Sequence, residues 1–157
     1  MRKILIIFMF VLVIIDQLTK WFASEHLPFH EAVNIVPFFS LYLTHNKGIA
    51  FSMLEWLGPG GLILLSAVII VFMIYLWKQV PRHQQLSLLG FAFVIAGAIG
   101  NLIDRISQGH VVDFFLLHTQ SWAFAVFNVA DSFITIGAIC IIVEELFAMR
   151  RKSTKPE

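Results

Sequence analysis

The sequence predicts a membrane all-α bundle of four transmembrane helices, with a small outer-surface β-like cradle and both termini cytoplasmic. Three observations predict it. Apolar residues make up 59% of the 157 residues, charged residues only 13%, and mean hydropathy is +0.84. A soluble domain carries about 25% charged residues, so a water-soluble fold of this size would lack the polar surface to cover itself. The apolar residues gather into four runs, each close to the ~20 helical residues that cross ~30 Å of hydrocarbon. Of two segments between the runs, one alternates apolar and polar residues in the manner of a strand and the other is β-like. The whole chain, 1–157, reads as one integral membrane domain.

The first span covers about residues 4–22 and is interrupted by Asp16 and Lys20. Arg2 and Lys3 before it resemble a secretory leader, but Phe22-Ala23-Ser24 is a poor cleavage site, so the segment is expected to be retained. The second and third spans cover about 62–79 and 86–103, and the fourth, about 126–146, is interrupted by Asp131. Gly97 and Gly100, with Ala96 and Ala98, give the third span a small-residue face suited to close helix packing. The lone cysteine, Cys140, permits no intrachain disulfide and reads as a buried structural thiol.

Orientation follows from the basic residues. Arg2, Lys3, Lys78, Arg82, Arg150, Arg151, Lys152 and Lys155 flank the spans on one side and account for eight of the eleven Lys and Arg. That side is assigned to the cytoplasm. The outer segments are then about 23–60 and 104–125. In the first, Phe39, Leu41 and Leu43 alternate with Ser40, Tyr42 and Thr44, and Asn46-Lys47-Gly48 is a turn candidate. In the second, HVVDFFLLH is β-like. The tail after Arg150 reads as disordered.

The charges inside the spans carry the functional argument. At ~1.5 Å of rise per residue, Asp16 and Asp131 both lie about 18 Å from the inner boundary, in the outer half of the bilayer. A carboxylate there is costly and faces a bundle interior or a wet cavity. Asp16 and Lys20, four apart, can pair on one helix face. Asp104 and Arg105, near the outer interface, can serve as a simple anchor. Asp113 and Asp131 have no basic neighbour in sequence and suggest a site. Two nearby carboxylates cannot both ionise easily, so one can take a proton from water while the other donates to a carbonyl. That is aspartic peptidase chemistry, which needs no metal or other cofactor. The six histidines show no metal-ligand spacing, although His110 and Asp113 could share a site. Alternatives are a proton- or ion-coupled transporter relaying through Asp16 and Asp131, and a non-enzymatic assembly factor held together by its polar residues.

The blocks DQLTK (16–20), HNKGIAF (45–51), GNLIDR (100–105), GHVVDF (109–114) and FNVADS (127–132) resemble, in order and spacing, the motifs of bacterial lipoprotein signal peptidase, or signal peptidase II. The resemblance implies an aspartic endopeptidase of the bacterial cytoplasmic (inner) membrane, with its active site on the outer side. Its substrates would be prolipoproteins carrying a diacylglyceryl cysteine, cut just before that cysteine. Membrane lipid would be its other partner; no nucleic acid is expected, and the chain is taken as a monomer. The catalytic pair would be Asp113 and Asp131. Asp16, Lys20, Asn46, Gly48, Asn101, Asp104, Arg105, Asn128 and Ala130 would shape the site and bind substrate. The fold implied has four helices, a β cradle and an outer-surface helix. Ile49 departs from the smaller residue expected there.

Overall fold

The computed structural model describes residues 2–48, 55–119 and 121–153. Four helices long and apolar enough to cross a membrane carry the chain: α1 (Arg2–His26), α2 (Gly58–Gln79), α3 (Gln85–Gln108) and α4 (Val129–Ser153). Three antiparallel strands, β1 (Ala32–Val36), β2 (Phe39–Asn46) and β3 (Val111–Leu117), form one sheet in the order β1-β2-β3. The expected bundle with a β cradle is therefore what the chain builds. The outer-surface helix has no counterpart among the described residues longer than the 3-10 turn Glu55–Leu57. Ile49 lies outside the described residues, as does the end of the tail; the part of the tail that is described, up to Ser153, continues α4 rather than fraying at Arg150.

Helix α3 is the centre of the bundle. Leu88, Ala92, Ile95 and Ala96 are fully or almost fully buried on it, whereas Ile7, Phe10, Val71 and Ile142 of the other helices are exposed toward the surrounding hydrocarbon. Its C-terminus is closed by Gly109, whose φ of 76° is a left-handed conformation that suits glycine and whose N–H donates to the Arg105 carbonyl. A β carbon on Gly97 would collide with the Ala130 carbonyl of α4, and one on Gly100 with the Asp16 carboxylate of α1. The small-residue face thus lets α4 and α1 approach α3 to backbone distance. Replacing Gly97 with valine is expected to lower stability in detergent by about 1–3 kcal/mol, the usual cost of overpacking, as read from thermal unfolding.

The start of α1 and the end of α4 lie at one end of the bundle. The Arg2 guanidinium donates to the Lys78 carbonyl at 3.1 Å and the Val80 carbonyl at 3.0 Å, tying the start of α1 to the close of α2. Helix α4 runs antiparallel to α3, with Ala130 against Gly97 and Gly137 against Gly90, so its C-terminus returns to the same end. The sheet sits at the other end, where α1 and α3 finish.

The sheet departs from the strict alternation read in the sequence. A register shift between Leu41 and Thr44 interrupts the β2–β3 ladder, so the buried residues of β2 are Ser40 and Leu43, three apart. Such an irregularity re-aims the side chains beyond it. Thr44 then pairs with Asp113 and Asn46 with Val111. Ser40 is held by Asn34 of β1 at 2.6 Å and by His118 at 2.7 Å, a polar pin across the sheet.

Candidate active site

Helix α4 starts at Val129 because Asn128 and Asp131 form a reciprocal cap. The Asp131 backbone N–H donates to the Asn128 side-chain oxygen at 3.0 Å, and the Asn128 backbone N–H donates to Asp131 Oδ2 at 3.2 Å. This is the capping-box arrangement with an aspartate in its acidic position. A second free N–H of the same turn, that of Ala130, donates to Asp16 Oδ1 at 2.9 Å. The helix start is thereby fixed from α1 as well, and Asp16 and Asp131 share one level of the bundle.

The remaining oxygen of Asp131, Oδ1, accepts from Asn101 Nδ2 at 2.8 Å. Asp113 projects from β3 and is 2% exposed. Its Oδ1 accepts from Asn128 Nδ2 at 2.7 Å and its Oδ2 from Asn46 Nδ2 at 3.0 Å. The side-chain amide of Asn128 therefore binds one carboxylate while its backbone binds the other. Asn46 is itself oriented: its oxygen accepts the Gly48 N–H at 2.9 Å, which turns its amide toward Asp113. The Gly48 carbonyl in turn accepts from Arg105 at 2.8 Å. The turn expected at Asn46-Lys47-Gly48 is thus a local side-chain-to-backbone turn.

Around the two carboxylates lies a buried ionic lattice. Lys20 Nζ sits 2.9 Å from Asp16 and 2.8 Å from Asp104, and donates to Asn101 Oδ1 at 2.9 Å. Asp16, Lys20 and Asp104 are all at most 2% exposed. The expected Asp16–Lys20 pair exists, with Asp104 as its third member. Asp104 and Arg105 are not an interfacial anchor: both are buried, Asp104 on Lys20 and Arg105 on the carbonyls of Gly48 and Asn101. Asp104 also accepts the Val112 N–H at 3.3 Å, which registers β3 against α3. Asn101, holding Lys20 with its oxygen and Asp131 with its amide, joins the ionic lattice to the carboxylate pair.

Burial and the nearby Asp131 charge push the Asp113 carboxyl up to about 7, against the opposing pull of its two amide donors. Near neutral pH the Asp113 carboxyl is thus poised to hold a proton. Among the described residues no hydrogen bond joins His110 to Asp113. His110 stacks on His45 with ring centroids 3.8 Å apart, while Asp113 is taken by the two asparagines.

Gln17 was not singled out by sequence reasoning, yet its amide donates to Asp104 at 2.9 Å and to the Gly100 carbonyl at 3.2 Å. The signal was present: it is an uncharged polar residue beside Asp16 in an apolar span, where polar groups seek partners.

The sequence profile described as Signal peptidase (SPase) II matches residues 8–147. The chain is 48% identical over 146 residues to a lipoprotein signal peptidase of Allorhizobium ampelinum, covering 93% of this chain and 90% of that protein. It is 49% identical over 140 residues to a lipoprotein signal peptidase of Brucella ovis, covering 89% and 88%. Two solved bacterial membrane enzymes share the fold: one with a TM-score of 0.86 at 28% identity, covering 99% of this chain and 94% of that one, the other with 0.80 at 29%, covering 92% and 93%. With a matching profile that spans nearly all of its length, this chain belongs to the signal peptidase II family.

Proposed function

We propose that the chain is the aspartic endopeptidase that removes signal peptides from diacylglyceryl-modified prolipoproteins, cutting just before the lipidated cysteine. The observation that carries this reading is the pair Asp113 and Asp131, both gripped by Asn128 at the junction of sheet and helix. Ionised Asp131 takes a proton from water as the oxygen attacks the scissile carbonyl. Protonated Asp113 donates to the carbonyl oxygen, giving a gem-diol; as it collapses, the C–N bond breaks, the proton held by Asp131 passes to the departing amine, and Asp113 takes back a proton from a gem-diol hydroxyl. Asn46, Asn101 and Asn128 keep both carboxylates in place; Asp16, Lys20, Asp104, Arg105, Gly48 and Ala130 hold those asparagines and the two helices that carry them.

The bundle end that holds Arg2 and the α2–α3 link carries the basic residues and is assigned to the cytoplasm. The sheet end with the dyad then faces outward, where a lipid-anchored substrate presents its cysteine. The working unit is taken as a monomer. The transporter reading fares worse. It requires Asp16 to exchange protons, but Asp16 accepts from Lys20, Gln17 and the Ala130 N–H at once.

Incubation of purified protein with a diacylglyceryl-cysteine precursor should yield two products whose masses place the cut before the cysteine, with a chelator present or absent. Because Asp113 must keep its proton, the rate should hold up to about pH 7 and fall above it as the group ionises. Equal cleavage of an unlipidated precursor, or a rate that climbs through pH 8, would overturn the assignment.

A further inference from the structure

Three histidines gather at the rim of the sheet, and none of them has a part in the proposed chemistry. The rings of His45, on β2, and His110, just before β3, stack with centroids 3.8 Å apart and planes 25° from parallel. Phe29 packs on His45 at 4.7 Å and on His30 at 3.9 Å. His30 lies over Tyr42, and its Nε2 is 3.3 Å from Thr44 Oγ1. The stack sits where β2 and β3 close on the site. His45 pairs with Val112 and Asn46 with Val111, and His110 leads the chain from the left-handed turn at Gly109 into that ladder. The residue after His45 is Asn46, whose amide donates to Asp113 at 3.0 Å. Successive strand residues rise only ~3.3 Å, so moving either ring pulls on the backbone that positions Asn46.

Two neutral imidazoles can stack in this way; two charged ones at the same distance repel. Burial, and then the charges of His110, His30 and Lys47, hold His45 below the ordinary imidazole value. Every charge acting on His45 is thus positive. Of the nearby carboxylates, Asp104 of α3 lies on Lys20 and Asp113 of β3 on its two asparagines, while Arg105 of α3 lies on backbone carbonyls. Nε2 of His110 is buried and meets no hydrogen-bond partner among the described residues. An imidazolium carries a proton on both nitrogens, so a charged His110 would leave a donor unmet there. Because the fold lowers the proton affinity of His45, the stack is at full strength above the ordinary value of 6.5 and weakens as pH falls through it.

We infer that His45 and His110 form an acid-sensitive latch on the site: the stack closes β2 on β3 and keeps Asn46 against Asp113 while at most one ring is charged, and it opens when both are. The effect on turnover rests on the proposed peptidase reading; the release of Asn46 does not. Opening takes from Asp113 one of its two amide donors and leaves it that of Asn128. The enzyme then works at neutral pH and pauses in acid.

The test uses the full chain in lipid nanodiscs. Cleavage of a diacylglyceryl-cysteine precursor is followed from about pH 7 to about pH 5.5, the range in which imidazoles titrate. The nuclear magnetic resonance signal of the Asn46 side-chain amide is followed alongside, since its shift reports the bond to Asp113. In the wild type, kcat/KM should fall about tenfold over this range, and the Asn46 amide should move with it. His110→Phe keeps a ring in the stack but takes no proton, so the fall should shrink to about twofold or less and the amide should stay in place. His45→Phe, at an exposed position, should do the same and carries the test if His110→Phe accumulates poorly. An equal acid fall in the wild type and the variants, or an Asn46 amide that ignores pH, removes the latch. With the precursor cut at pH 7, those results leave the peptidase standing and the latch fallen. If nothing is cut at pH 7, the peptidase reading falls, and the Asn46 amide alone decides whether the latch exists.

Discussion

Asp131→Asn should abolish cleavage, by on the order of 10⁴-fold, while the protein still inserts and accumulates. General acid–base groups contribute about 10²–10⁴ each, and here the loss removes the only group assigned to deprotonate water. The structural cost is small by comparison. Both Asp131 oxygens accept hydrogen bonds, from the Asn128 N–H and from Asn101. An asparagine keeps one acceptor and turns an NH₂ toward the other donor, which costs about 1–3 kcal/mol. Asp113→Asn should behave alike, because it too accepts on both oxygens, from Asn46 and Asn128. The two variants differ in one measurable respect. Asp131→Asn removes the charge that helps keep Asp113 protonated, so Asp113 should then titrate below about 7, which a carboxyl infrared band can follow. Substantial turnover by either variant would sink the dyad. Loss of function confined to Asp16 and Asp131 variants would favour a relay instead.

Lys20→Met should be the most destabilising single change in the spans. Lys20 is 2% exposed and lies within 3 Å of both Asp16 and Asp104. Its removal leaves two buried carboxylates side by side, and breaking a buried ion pair from one side costs about 3–5 kcal/mol. The expected result is poor accumulation and early thermal unfolding in detergent. Lys20→Arg should not rescue it, since a planar fork cannot sit as a point donor between two carboxylates and Asn101. A triple variant that also carries Asp16→Asn and Asp104→Asn should recover much of the stability, because no charge is then left unmatched. If Lys20→Met alone unfolds no earlier than the parent, the lattice does not hold the helices together.

The spans were legible because hydropathy is a local property that no tertiary contact can overrule in lipid. Asp113 and Asp131 were legible for the same reason: a carboxylate with no cation near it in sequence stands out in apolar surroundings. What escaped were features decided by packing. Strand β1 is exposed along its whole length, so it carries no burial alternation to read. The irregularity in β2 shifts the buried residues from an every-second pattern to Ser40 and Leu43, which a period-two reading cannot anticipate. Asp16 and Lys20 sit one helical turn apart and announce their pairing. Asp104 joins them across 84 residues of sequence, and only the close approach of α1 to the Gly100 face of α3 makes that contact.

The doubled grip of Asn128 limits how the family can change. The atoms that begin α4 are the atoms that hold both carboxylates, so helix nucleation and the proposed dyad cannot be mutated separately. A shorter or longer side chain at 128 would lose the cap, the Asp113 contact and the Asn101 contact together. An inhibitor that takes its hold from the two aspartates and Asn128 therefore leaves no simple escape: a substitution that loosens the drug there also loosens the fold. Resistance to such a compound should instead appear in the outer segments, at residues that start no helix.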